Sequence, residues 1–199
     1  MDEASAKAIR DYVSEGGTVL MTGYSAKENE HAQWFDTTLP GRLSDVFGLR
    51  TAAFYRNDSG VNFMIDGKAG STKASYYEIL EPSTAEVLGT ITNHYLPESA
   101  PFLTMNKFGK GRALYLATES SAEAVGPVLD VVKRAAGIED GPTTPEGVYA
   151  REVDGRTLYI NTNYVEARVP ITGTKRGLLS NRTYQGELTL PQRGADLVE

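Results

Sequence analysis

The amino-acid sequence predicts an α/β domain followed by a small all-β domain. A helical pattern, a Gly-Gly pair and a short apolar run follow one another over residues 4–22, which together make half of a β-α-β unit. A second apolar strand pattern near residue 115 is followed at once by a helix with a capping signal. Beyond the Gly- and Pro-containing residues 140–145, strand patterns alone remain. We therefore predict two domains, residues 1–141 and 146–199.

The first helix is predicted over residues 4–15. Ile9 and Val13 recur at helical spacing, and Gly16-Gly17 ends the pattern. Residues 18–22 form a continuous apolar run, which is typical of a strand buried on both faces of a parallel sheet. No strand pattern precedes the helix, so we expect the first strand of such a sheet, and more of a longer protein, to lie upstream.

The middle of the first domain is predicted to be rich in β-structure. A polar loop spans residues 24–39, and a short helix follows at residues 40–47 with Gly48 as its left-handed cap. Strands are then predicted at residues 51–55, 61–65, 76–80, 86–92 and 102–106.

A second buried strand and a helix complete this domain. The strand is predicted at residues 113–117, and Ser120 and Glu123 have the spacing of a capping box. The helix that follows is expected to end at Gly137, a second left-handed cap. Its predicted apolar stripe consists of Val125, Val128, Leu129 and Val132.

The second domain is predicted to contain strands alone. Residues 148–153 and 157–161 flank Asp154-Gly155-Arg156, a hairpin signal, and further strands are expected at residues 167–171 and 187–190. So short a segment buries little apolar surface by itself, and we expect it to pack on another body.

Composition excludes several classes of partner. The net charge is −6 and the basic residues are dispersed, which is the opposite of a nucleic-acid-binding face. No apolar run approaches the roughly 20 residues that span a bilayer, so no membrane partner is expected. The absence of cysteine excludes disulfides, thiolate metal sites and a cysteine nucleophile, while leaving the cellular compartment open.

The sequence predicts no catalytic carboxylate pair. Glycoside hydrolysis generally needs two carboxylates held at a fixed separation on a rigid scaffold. Glu28, Glu30 and Asp36 lie close together, but in a polar loop, where carboxylates are usually solvated. The chain also lacks the eight β/α repeats of a catalytic barrel.

Ser25 is the one candidate nucleophile. Gly23-Tyr24-Ser25 follows a predicted strand and matches the first three positions of the G-x-S-x-G nucleophile elbow, but Lys27 replaces the second glycine. Neither His31 nor His94 has a sequence context that places it beside Ser25. We therefore favour a plain strand-to-loop turn.

No metal or cofactor site is predicted. The two histidines are far apart in sequence and there are no thiols, so the three or four ligands of a metal site are missing. The glycine-rich residues 108–112 lack the length and the Lys-Ser/Thr ending of a phosphate-binding loop, and we interpret them as a hairpin turn.

Residues His31, Trp34 and Phe35 of the polar loop are the candidate binding residues. The Trp34-Phe35 pair could stack on a sugar, fill a pocket of a neighbouring subunit, or belong to the local core. The residues alone leave these alternatives open.

Taken in order, five segments resemble one known family. They are Ala-x-x-x-Ile-Arg-Asp-Tyr-Val-Ser-Glu-Gly-Gly-Thr-Val-Leu-Met-Thr from Ala6, and residues 39–50, 76–82, 85–90 and 106–118. Their order and spacing resemble the segment that follows the catalytic barrel in family-42 β-galactosidases. Residues 146–199 resemble the small C-terminal β-domain of the same enzymes.

The resemblance implies a fold and a role. The first domain would be a trimerisation domain, a three-layer fold similar to class I glutamine amidotransferases (flavodoxin-like) that lacks its first strand. The second would be β-sandwich-like. The cysteine that amidotransferases ordinarily hold after a strand is absent, which fits a non-catalytic scaffold.

The resemblance also implies partners. The parent would hydrolyse terminal β-galactosides with two glutamates on an upstream barrel, so no catalytic residue is assigned here and no cofactor or metal is implied. The partners would be further copies of the chain, in a trimer, and that barrel. The loop at residues 24–36, with His31, Trp34 and Phe35, would face the neighbouring subunit or lie near a β-galactoside. Two alternatives remain, a carbohydrate-binding module and a stand-alone amidotransferase-like or α/β hydrolase using Ser25.

Overall fold

The chain forms two compact units, residues 1–138 and 139–199. The computed structural model describes residues 1–56, 60–92, 99–119 and 121–199. None of the helices in these ranges is long and apolar enough to cross a membrane.

The first unit contains three α-helices and eight strands within the described ranges. The helices are α1 (Glu3–Ser14), α2 (Ser44–Phe47), which a 3-10 turn at Gly41–Leu43 precedes, and α3 (Ala122–Ala136). The strands are β1 (Thr18–Thr22), β2 (Leu49–Arg56), β3 (Val61–Ile65), β4 (Lys68–Thr72), β5 (Tyr76–Pro82), β6 (Glu86–Thr92), β7 (Ala100–Phe108) and β8 (Gly111–Leu116).

The first unit is mainly β, whereas the sequence predicted an α/β domain. Six strands form one sheet in the order β1-β8-β7-β6-β3-β4, and β2 and β5 form a separate antiparallel ribbon. Among the described strands, β1 and β8 alone pair in parallel, with Thr18 opposite Arg112 and Thr22 opposite Leu116. The other pairs are antiparallel, because hairpin turns rather than helical crossovers connect strands such as β3–β4 and β7–β8.

The core of this unit centres on β8. Ala113, Leu114, Tyr115 and Leu116 are each at most 2% exposed, so successive side chains are buried on both faces of the sheet. Helices α1, α2 and α3 all contact this strand. The prediction of a buried strand is confirmed for β8. It is wrong for most of β1, where Met21 alone is buried, because β1 lies at one end of the strand order.

Helix α3 begins one residue later than predicted and faces the core differently. Its N-cap is Ser121, whose side chain accepts a hydrogen bond from the Ala124 amide, while Ser120 lies outside the described residues. Val125 and Leu129, both predicted to be core, are exposed. The buried stripe consists of Ala124, Val128, Val131 and Ala135. Alanines at both ends of this stripe allow the helix to lie close to the sheet.

The two predicted left-handed caps are confirmed. Gly48 ends α2 with φ 62°, and Gly137 ends α3 with φ 66°. Strand β4, with the sequence Lys-Ala-Gly-Ser-Thr, was not predicted, because it lacks the large β-branched and aromatic residues that mark strands.

The second unit contains strands alone, as predicted. The strands are β9 (Val148–Val153), β10 (Arg156–Asn161), β11 (Ala167–Arg176), β12 (Thr183–Leu190) and β13 (Ala195–Val198), the last of which was not predicted. They form a three-stranded sheet, β13-β10-β9, and a two-stranded sheet, β11-β12. Both sheets contribute to one small core, in which Val169, Leu188 and Leu190 are fully buried.

Candidate functional site

The polar loop that follows β1 is held in an uncommon backbone conformation. Tyr24, Ala26 and Ala32 all have positive φ, between 56° and 64°. A non-glycine residue in this region costs about 1–2 kcal/mol. Three such residues within nine positions require surrounding contacts that fix the loop.

A buried ion pair lies beneath the loop. Lys27 and Glu78 are 1% and 0% exposed, and the Lys27 Nζ lies 2.9 Å from the Glu78 Oε2. Lys27 belongs to the loop and Glu78 to β5, so the pair joins the loop to the β2–β5 ribbon. The Lys27 ammonium also lies 5.2 Å from the ring centre of Tyr115 and 5.5 Å from that of Phe54, close enough for cation–π contact.

The Glu78 carboxylate receives donors from three further groups. The Tyr24 amide donates to Oε1 at 2.6 Å, and the hydroxyls of Thr51 and Tyr115 donate to Oε2 at 2.9 Å and 3.0 Å. Lys27 Nζ also donates to Thr51 Oγ1 at 2.7 Å. Every charged group in the cluster is therefore hydrogen-bonded, as burial requires.

Burial changes the proton affinities in this cluster. It lowers the pKa of the Lys27 ammonium, although the charge of Glu78 partly offsets this. Burial, together with the negative charge of Glu78, raises the pKa of the Tyr115 hydroxyl well above its usual range. The hydroxyl thus stays protonated and remains a donor to the carboxylate.

An aromatic surface, formed by Tyr24, Trp34, Phe54 and Tyr76, lies around the loop. The ring centres of Trp34 and Phe54 are 5.2 Å apart, and those of Tyr24 and Tyr76 are 4.1 Å apart, both in edge-to-face contact. Trp34 is 47% exposed and Tyr24 42% exposed. Burial and the charge of Glu119 raise the pKa of Tyr76 to about 12. The Tyr76 hydroxyl is therefore uncharged at neutral pH.

The structure brings only Trp34, among the three candidate residues of the loop, onto this surface. Phe35 is half-buried and lies beneath the Arg42 guanidinium, whose central carbon is 5.1 Å from the ring centre. The side chain of His31 is exposed, and its amide donates to the side-chain oxygen of Asn29. Phe35 thus packs locally, while Trp34 and His31 face outward.

The three carboxylates of the loop are exposed. Glu30 forms an ion pair with Arg42 at 3.3 Å, and Glu28 and Asp36 are exposed. In the described part of the chain, no group of three or more histidine, aspartate or glutamate side chains is arranged to hold a metal ion.

The strand-to-loop turn at Ser25 is not a nucleophile elbow. Turns follow β1, and the next helical residues begin at Gly41, whereas an elbow passes directly into a helix. No hydrogen bond within the described ranges joins Ser25 to a histidine, and His94 lies outside those ranges. Lys27, which replaces the second glycine of the motif, pairs with Glu78 instead.

A second polar cluster, in the second unit, anchors a turn. The Asp196 carboxylate is 1% exposed and accepts hydrogen bonds from the Tyr184 hydroxyl at 2.8 Å and from the Leu179 and Ser180 amides at 3.0 Å and 3.3 Å. The Ser180 hydroxyl also bonds to it. With its acceptor positions occupied by backbone and side-chain donors, Asp196 has a structural role.

Lys27 and Glu78 were missed by sequence reasoning, although each leaves a signal. Glu78 interrupts an otherwise apolar strand, Tyr-Tyr-Glu-Ile-Leu, and a carboxylate in such a position needs a buried partner. Lys27 stands where the elbow motif has glycine. Nothing in the sequence indicates that these two residues, 51 positions apart, meet.

Comparisons with known proteins cover the whole chain. A family model described as the beta-galactosidase trimerisation domain matches residues 1–139. The β-galactosidase BgaA of Planococcus sp. (strain 'SOS Orange') is 28% identical over 204 residues, which cover 96% of this chain and 30% of that protein. A β-galactosidase of Arthrobacter sp. is 25% identical over 188 residues, which cover 93% of this chain and 26% of that protein. The chain thus spans about 30% of the length of its first relatives.

Two solved structures share the fold over all of this chain. The β-galactosidase from Bacillus circulans sp. alkalophilus superposes with a TM-score of 0.84 at 25% identity, over 31% of its own length. Gan42B, a GH42 β-galactosidase from G. stearothermophilus, superposes with a TM-score of 0.83 at 19% identity, over 30% of its length.

Proposed function

The chain belongs to the β-galactosidase trimerisation domain family, and on that basis we propose that it is the non-catalytic scaffold through which a β-galactosidase assembles into a homotrimer. The single observation that carries the proposal is the match over residues 1–139. The parent protein would hydrolyse terminal β-galactosides on a catalytic barrel outside these 199 residues. Within the described ranges the loop carboxylates are exposed or paired with arginine, which supports a scaffold without its own hydrolytic site.

We further propose that the aromatic surface contacts the neighbouring subunit. Trp34 and Tyr24 present large exposed rings, and tryptophan and tyrosine are enriched at the centres of protein interfaces. His31 would lie at its rim and Phe35 would support the loop from below. The partner would be a further copy of this chain.

The division at residues 1–141 and 146–199 is proposed to mark two domains. For the first we infer a variant of the amidotransferase-like three-layer fold. The parallel β1–β8 pair, the burial of β8 on both faces and its contacts with α1, α2 and α3 support this inference. For the second, two sheets around one core support a β-sandwich-like fold.

The association role is tested by sedimentation equilibrium over a range of concentrations. We expect the wild-type chain to self-associate and Trp34→Glu to weaken association about 30-fold, the effect of losing an interface anchor worth about 2 kcal/mol. Tyr149→Glu is the matched control, since Tyr149 is a 64% exposed aromatic residue of the second unit. A wild-type chain that stays monomeric, or equal effects of the two substitutions, would contradict the proposal.

A carbohydrate-binding role is the second candidate, because the same exposed rings could stack on a galactoside. The rings of Trp34 and Tyr24 meet at 89°, however, and do not form a flat platform. Trp34 is the sole tryptophan, so its fluorescence during a titration with galactosides decides the matter. No response at millimolar sugar would exclude this candidate.

A further inference from the structure

The pair beneath the loop has a role of its own. We propose that Lys27 and Glu78 are positioning residues, which hold the backbone between Tyr24 and Phe35 in the one conformation that presents Trp34 to a partner. The inference rests on the proposed association function, because it assigns residues that act on that surface through others. Neither residue can touch a partner directly, since both are at most 1% exposed.

One carboxylate fixes the loop at two points and, through Lys27, at a third. Glu78 Oε1 accepts from the Tyr24 amide at 2.6 Å, and Oε2 accepts from Lys27 Nζ at 2.9 Å. The Lys27 carbonyl in turn accepts from the Phe35 amide at 3.0 Å. Trp34, the residue before Phe35, forms an isolated bridge with Glu28. The start of the segment is therefore tied directly to a side chain of β5, and its end is tied indirectly, through the backbone of Lys27.

Stability alone does not account for a charged pair at this place. Two buried charges lose their hydration, and well-packed apolar residues of similar volume are often as stabilising. An apolar pair, however, would offer no acceptor to the Tyr24 amide and would not select the positive φ values of Tyr24 and Ala26. The ion pair therefore selects one backbone conformation of the loop, which an apolar pair would not do.

The two remaining donors to Glu78 fix the position of the loop relative to the rest of the first unit. Thr51 lies on β2 and Tyr115 on β8, and both hydroxyls donate to Glu78 Oε2. The carboxylate thus holds a fixed orientation relative to the β2–β5 ribbon and the main sheet. Phe54, which supports Trp34 from β2, lies directly opposite Glu78 in the register of that ribbon. Glu78 therefore lies beside both the loop and the Phe54 ring that supports Trp34, and it fixes the position of one relative to the other.

The test is Lys27→Met, which keeps the length of the side chain and removes its charge. On dilute, monomeric protein, we expect quenching of Trp34 fluorescence by acrylamide to rise about twofold, because a side chain that is 47% exposed becomes almost fully accessible when the loop detaches. At higher concentration, sedimentation should show association weakened at least about tenfold. The far-ultraviolet circular dichroism should stay that of the wild type.

Three further variants keep the test decisive. Thr51→Val removes one partner of each charged group and leaves the ion pair in place, so it should fold and raise quenching by a smaller factor. Val128→Ala destabilises the core beneath α3 without touching the loop, and should change neither quenching nor association. The Lys27→Met/Glu78→Gln double variant removes both charges, and replaces the single variant if that one does not fold.

Unchanged Trp34 quenching in folded Lys27→Met or in the folded double variant, or increased quenching with undiminished association, would overturn the inference. Its failure is distinguishable from that of the proposed function. The quenching measurement uses monomeric protein and does not depend on association. The association role fails if Trp34→Glu leaves the average mass in sedimentation equilibrium unchanged.

Discussion

At the residue scale, two glycines with the same backbone conformation should respond differently to substitution. Gly48 and Gly137 both have φ near 65°. A Cβ at Gly137 would meet nothing within 4 Å, whereas one at Gly48 would lie 2.3 Å from Thr84 Oγ1 and 2.6 Å from Asn106 Cγ. We expect Gly137→Ala to lower the free energy of unfolding by about 1 kcal/mol and Gly48→Ala by about 3 kcal/mol. Urea unfolding of both variants measures the difference. Equal losses in the free energy of unfolding would show that Thr84 and Asn106 move aside to accommodate the added Cβ.

A second prediction at this scale concerns pH. Burial alone would raise the pKa of Asp196, but the donors Ser180 and Tyr184 and the backbone amides outweigh it and lower the pKa below its usual value. A carboxylate with a depressed folded-state pKa stabilises the fold above its unfolded pKa of about 3.9, and this contribution is lost as the pH falls through the lower, folded value.

Hydrogen exchange of the Leu179 and Ser180 amides, which donate to Asp196, reports this loss locally. We expect their protection in the wild type to decrease below about pH 4, and to be low and almost independent of pH in Asp196→Asn. Asp154→Asn, in the exposed β9–β10 hairpin, is the control and should retain the wild-type profile. Protection in Asp196→Asn equal to that of the wild type at neutral pH would contradict the assignment.

The site itself shows where residue-level prediction stops. Sequence reasoning selected Trp34 because exposed aromatic residues in loops are conspicuous, and the structure places it on the surface. It missed Lys27 and Glu78, because the energetics of a buried charge depend on a partner that becomes a neighbour only in the folded chain. Phe35 looked equivalent to Trp34, and the Arg42 contact that separates them comes from another element.

At the scale of elements, the start of α3 gives a direct test. Ser121 caps the helix through the Ala124 amide and also accepts a hydrogen bond from Thr72. We expect Ser121→Ala to lower the free energy of unfolding by about 1 kcal/mol. Ser121→Asp should lower it much less, since aspartate is an equally good N-cap. If urea unfolding finds both variants as stable as the wild type, the helix does not depend on this cap.

Elements were predicted well where a local signal exists. Helix α1, strands β1, β3, β6 and β9, and both glycine caps follow from periodicity and turn chemistry, and the structure has them. Strand β4 has no such signal. The face of α3 was predicted only in part. Val128 is buried and Val132 packs against the core, as predicted, but the small residues Ala124 and Ala135 are buried in place of the larger Val125 and Leu129.

At the scale of the whole molecule, strand order is not a local property. The sequence predicted a parallel sheet from two helix–strand units, but the hairpins between them make most of the sheet antiparallel. Pairing depends on which connections turn back and which cross over. The hairpin turn at residues 108–112 was predicted, but a local turn signal does not say which strands become neighbours across the whole sheet.

The charge of the molecule predicts how the proposed association would depend on salt. Each copy carries a net charge of −6, whereas none of the four residues that form the aromatic surface is Asp, Glu, Lys, Arg or His. Copies therefore repel one another, and added salt screens this repulsion over roughly 3 Å at 1 M against 10 Å at 0.1 M. We expect association to strengthen modestly as NaCl is raised, in sedimentation equilibrium. Weakening by tenfold or more would indicate that ion pairs, and not aromatic contacts, hold the copies together.

The Glu78 cluster also determines the order in which parts of the first unit fold. Its donors Thr51, Tyr115, Lys27 and Tyr24 lie 27, 37, 51 and 54 positions away along the chain. Contacts between such distant positions form slowly, because each requires closure of a long segment of chain. The loop can adopt its final conformation only after β2, β5 and β8 have come together. During refolding, the fluorescence of Trp34 should therefore reach its native value after the backbone signal of the sheet.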